Sequence, residues 1–77
     1  MKRLQFFVSY GVVDKNPYDV LSGGYDVKVK EESSAFEKSA EITKEIVRCH
    51  NLNERCTRKF GFVNETSIVI KVLTRLD

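Results

Sequence analysis

The stretch from Ser33 to about His50 constrains the fold of this chain more than any other. At 100° per residue, Ala35, Phe36, Ser39, Ala40, Ile42, Thr43, Ile46, Val47, Cys49 and His50 fall on one half of a helical wheel. Glu37, Lys38, Glu41, Lys44, Glu45, Arg48 and Asn51 fill the other half, so the stretch predicts an amphipathic helix. Ser34 followed by Glu37 has the spacing of a capping box, and Glu31, Glu32 and Glu37 set negative charge against the positive end of the helix dipole. Asn51 or Asn53 is placed to stop it. A helix of this length is marginal alone, so the rest of the chain must supply an apolar surface for it.

Seventy-seven residues make a single domain, 1–77. With 42% apolar and 31% charged residues the composition is that of a soluble globular chain. No apolar run approaches the ~20 residues that cross a bilayer, so no membrane partner is expected. Met1-Lys2-Arg3 leads directly into strand-like alternation without the apolar block of a signal peptide. Two cysteines are too few for a secreted disulfide scaffold, and a reducing, cytoplasmic address follows.

Before the helix, Leu4, Phe6, Val8 and Tyr10 alternate with Arg3, Gln5, Phe7 and Ser9, predicting a strand over 2–13. Asp14-Lys15-Asn16-Pro17 breaks it, and 18–24 is either a short edge segment or a loop. Tyr25 to Glu31 alternates again, with Tyr25, Val27 and Val29 inward. After the helix, the pattern predicts strands over 55–63 and 66–76 joined at Asn64-Glu65. The expected fold is α+β, a two-layer ββαββ domain. Its four-stranded antiparallel sheet takes the order 2-1-3-4, or alternatively 2-1-4-3, with one helix packed on one face. The expected core is Phe6, Val8, Val27, Val29, Phe36, Ala40, Ile46, Val47, Phe60, Phe62, Ile68 and Ile70.

Arg58-Lys59-Phe60-Gly61-Phe62-Val63-Asn64-Glu65 resembles the RNP1 octamer of the RNA-recognition motif, whose aromatics stack on bases. It departs from that octamer at Lys59, which replaces a glycine, and at Glu65, which replaces an aromatic. If Phe60 and Phe62 faced solvent, Thr57, Lys59, Gly61 and Val63 would have to build the core, so both phenylalanines are expected inside.

Cys49, His50 and Cys56 are the only residues with metal-ligand spacing, and a structural zinc needs four ligands. Each cysteine is expected as a small buried apolar residue, and His50 as a hydrogen-bond partner for a helix-end carbonyl. The chain has no glycine-rich phosphate loop and no paired nucleophile and base. No enzyme activity, no metal and no cofactor are expected.

Charge is the remaining functional signal. Residues 1–30 carry five positive and three negative charges, 31–54 three and six, and 55–77 five and two. The total of +2 therefore hides an acidic helix and a basic sheet. The strand pattern gathers Arg3, Lys28, Lys30, Lys59, Lys71 and Arg75 on the open sheet face, with Phe7, Val69 and Leu73 between them. Such a face suits a protein surface or a polyanion. In length, lack of motifs and ββαββ plan the chain is similar to small phage-encoded accessory proteins, including anti-CRISPR and other anti-defence inhibitors. That resemblance implies a protein-binding module that blocks a surface of a larger host protein or ribonucleoprotein complex. The alternative is a nucleic-acid-binding domain that uses the basic face.

Overall fold

The computed structural model describes residues 2–30 and 34–76, apart from the side chains of Lys2, Ala35 and Phe36. The elements in chain order are β1 (Lys2–Val12), β2 (Leu21–Val29), α1 (Ala35–Leu52), α2 (Glu54–Phe60), a 3-10 turn (Glu65–Ser67) and β3 (Ile68–Arg75). The strands make one antiparallel sheet in the order β2-β1-β3.

Alternation drives the first two strands. Leu4, Phe6, Val8 and Tyr10 of β1 and Val27 and Val29 of β2 are buried on one face, where Ile42 and Ile46 of α1 meet them. Leu21, Tyr25, Ile68 and Ile70 pack at the margin of this cluster. Burying a side chain of this kind is worth roughly 1.5–3 kcal/mol, so the sheet is the surface that α1 needs. The helix begins as its sequence suggests, with the Ser34 hydroxyl accepting from the Glu37 amide at 3.2 Å. Glu31, Glu32, Ser33 and the side chain of Phe36 lie outside the described residues.

The four-stranded ββαββ plan is overturned. Both expected orders require a strand over 55–63, and residues 54–60 are helix α2 instead. The reason is Asn53, whose side chain accepts from the amides of Arg55 at 3.0 Å and Cys56 at 3.3 Å. It stops α1 and starts α2 at a single residue. Gly61, at φ 74°, ends α2. Phe60 is thus carried inward, 7% exposed, and Phe62 outward, 81% exposed. The expectation that Phe62 is core is wrong. Leu4, Tyr10, Ile42, His50 and Val63 are buried although the expected core omits them.

β3 lies beside β1 with one irregularity. Tyr10 pairs with Ile70 and Ser9 with Val72, so Lys71 is the extra residue of a β-bulge. Ile68 and Ile70 share the helix-side face with Val12 and Tyr10. Beyond the bulge the parity reverses, and Leu73 and Arg75 stand opposite Val8 and Phe6 on that same face.

Candidate binding surface

Pleating assigns the other face of the sheet. Arg3, Gln5, Phe7 and Ser9 project from β1, and their β2 partners Lys28, Asp26, Gly24 and Ser22 stand beside them. On β3 the same face carries Val69, Val72 and Thr74, opposite Gly11, Ser9 and Phe7. α1 covers the opposite face of the sheet, and α2 packs its Phe60 against His50 at the end of α1, ring centroids 6.2 Å apart. Phe7 and Val69 are each 39% exposed and Val72 49%. The hydroxyls of Ser9 and Ser22 hydrogen-bond across the strands at 2.8 Å. A side chain at Gly24 would meet nothing nearer than the Phe6 carbonyl oxygen at 4.0 Å, so a notch opens next to Phe7. The stem of Lys71 crosses Gly11, its Cε 3.5 Å from where a Cβ would stand.

The structure therefore places Arg3, Phe7, Lys28 and Val69 on the same open face. Arg3 and Lys28 stand towards one end of β1, Phe7 between, and Val69 with Lys71 at the bulge towards the other. Lys30 follows the end of β2 and is exposed. Three expected members move away. Lys59 lies on α2, its ammonium 3.8 Å from Asp19 and 5.3 Å from the Phe60 ring centroid. Leu73 and Arg75 are turned to the helix side by the bulge. Val72 takes the place that the simple alternation gives to Leu73.

Charges on the two sides are handled differently. Among the described residues the ion pairs are Glu41 with Lys44, Glu45 with Arg48, Glu54 with Arg58, and Asp19 with Lys59. None involves Arg3, Lys28 or Lys71. Exposed pairs stabilise little, but they cancel much of the field of the helices. The Arg48 guanidinium also holds the Glu45 carboxyl below the usual range. Among the described residues of the open sheet face, Asp26 is the acid that stands with Arg3, Lys28 and Lys71.

The sequence trio Cys49, His50 and Cys56 does converge, with Tyr10, Tyr25 and Asn53, around a cavity of about 280 Å³. His50 is 1% exposed. Its Nε2 lies 3.0 Å from the Gly61 carbonyl oxygen, which can only accept, so Nε2 carries the proton. Nδ1 then accepts from the Tyr10 hydroxyl at 2.9 Å. Burial, reinforced by Tyr25, pushes the Tyr10 phenol above its ordinary range, and burial does the same to Tyr25. Burial and then the Glu45 carboxylate push the Cys49 thiol up. These shifts keep the phenols and the thiol protonated, which suits a latch between α1 and the residues after α2 more than proton transfer. Asn51 reinforces the latch, its side chain bonded at 2.9 Å to both the amide and the carbonyl of Val63. Sequence reasoning missed the Tyr10–His50 bond because it joins β1 to the end of α1, forty residues apart.

No helix among the described residues is long and apolar enough to cross a membrane. Searches of protein-family models, of curated proteins and of solved structures found no match to this chain.

Proposed function

We propose that this protein is a small non-enzymatic binding module that works in the cytoplasm by occupying a surface of a larger protein complex with the open face of its sheet. One observation carries the reading. Phe7, Val69 and Val72 form an uncovered apolar centre, flanked by Arg3, Lys28 and Lys71, which have no ion-pair partner among the described residues. An apolar anchor supplies affinity, and the surrounding charge supplies orientation and on-rate. Inhibition of a host defence complex is the more specific form of this role. It rests on similarity in size to phage-encoded inhibitors, since the ββαββ layout is not the observed one.

Affinity capture from host lysate, with and without nuclease, tests the proposal. A partner should be retained after nuclease treatment, and Phe7→Ala should weaken its binding by more than ~1 kcal/mol with an unchanged thermal melt. Lys71→Glu should weaken it more at low salt than at high salt. Loss of all partners after nuclease, with a salt-dependent shift of short RNA or DNA, would favour the nucleic-acid reading instead.

A further inference from the structure

We propose that the outer edge of β2 is a docking groove for an acidic, extended peptide segment, which joins the sheet as a fourth strand. This rests on the protein-binding reading and gives the partner a chemistry. β2 is an outer strand of the sheet, and its ladder with β1 runs without a register shift from Leu21 to Val29. Alternate backbone amides and carbonyls of such a strand point away from its partner and offer a template to another chain. The opposite outer strand, β3, is interrupted by the bulge at Lys71, a device that blunts edges. The two edges are therefore not equivalent, and the regular one is at β2.

The β2 edge also has a second wall. A groove of about 450 Å³ is lined on the sheet side by Arg3 and by Asp26, Val27 and Lys28, and on the helix side by α1 residues between Glu41 and Arg48. An extended segment in a channel between strand and helix is bound through main-chain hydrogen bonds on one wall and side-chain contacts on the other. From Glu41 to Arg48 the helix wall runs roughly 10 Å at 1.5 Å per residue, which accommodates about three extended residues. Charge chooses the occupant. On the helix wall Glu41 is paired with Lys44 and Glu45 with Arg48. That leaves Arg3 and Lys28 against Asp26 alone, so the channel favours acidic side chains.

The probe is a short synthetic peptide of alternating Glu and Val, titrated into the isotope-labelled protein and followed by amide chemical shifts and hydrogen exchange. The expected result is perturbation of residues 26–28 and 41–48 with slowed exchange along β2. An alternating Lys and Val peptide should produce neither effect. The double variant Arg3→Glu/Lys28→Glu, checked for an unchanged melt, should bind the acidic peptide about tenfold more weakly. Methylating alternate peptide nitrogens should abolish binding, because it removes the donors of the added strand. Perturbation confined to Phe7 and Val69, or indifference to methylation, would overturn the groove. A captured partner that is lost with Phe7→Ala but is not displaced by the alternating Glu and Val peptide overturns the groove and leaves the binding reading standing. A partner indifferent both to Phe7→Ala and to the peptide overturns both.

Discussion

Phe60 and Phe62 share a residue type, two positions apart, and have opposite fates. In a strand they would lie on one face, but the turn at Gly61 separates them into a buried and an exposed side chain. Phe60→Ala should cost ~3–5 kcal/mol, and Phe62→Ala should stay within about 0.5 kcal/mol of the parent. Paired thermal or urea melts measure both. Tyr10 offers a second residue-scale test. Tyr10→Phe keeps the ring and leaves the buried Nδ1 of His50 without its donor, at a cost of ~1–3 kcal/mol. The same substitution should alter the alkaline limb of stability. The Tyr10 phenol is held neutral in the folded protein and titrates there above its ordinary value of 10.0. The stability it contributes is full below about pH 10 and is lost as pH rises through the folded value. Melts should therefore fall from about pH 10 upward, less steeply in Tyr10→Phe; equal slopes would show that Tyr10 does not titrate in this way.

At the scale of elements, β1, the latter part of β2 and α1 were legible because one period accounts for each. Ile42, Ile46 and His50, at four-residue spacing, are the buried line of α1. The segment 55–63 was not legible, since Cys56 and Phe60 fit a strand at period two and a helix at i,i+4 equally well. The deciding signal was Asn53, which is as good a start as a stop. Asn53→Ala removes the acceptor for the Arg55 and Cys56 amides and should cost ~1 kcal/mol. Helical circular dichroism should fall slightly together with the melting temperature. A more stable protein carrying one continuous helix would show that the break at 53 is not held by this side chain. The bulge at Lys71 was invisible for a different reason. It depends on how β3 meets β1, and no local period in Ile68–Arg75 records that encounter.

At the scale of the whole molecule the acidic-helix, basic-sheet plan read from the sequence does not carry over. α1 sets Glu37, Glu41 and Glu45 against Lys38, Lys44 and Arg48, and α2 takes Arg55, Arg58 and Lys59 out of the stretch expected to be sheet. The open face was correctly populated by Arg3, Phe7, Lys28 and Val69, whose strands obey strict alternation up to the bulge. Lys59, Leu73 and Arg75 left it, one through the helix at 54–60 and two through the parity change. The groove along β2 had no sequence signature at all, because its walls come from three separated stretches. The central place of β1 also has a consequence in time. Its ladder to β2 closes over the short segment between Val12 and Leu21, whereas its ladder to β3 joins Phe6 to Arg75. Loop closure taxes the second ladder far more than the first. As the chain leaves the ribosome, a β1–β2 hairpin can form early, but one flank of β1 stays bare while both helices are synthesised. During that interval the strand at the middle of the finished sheet is itself an unprotected edge, and it is β3, made after both helices, that closes it.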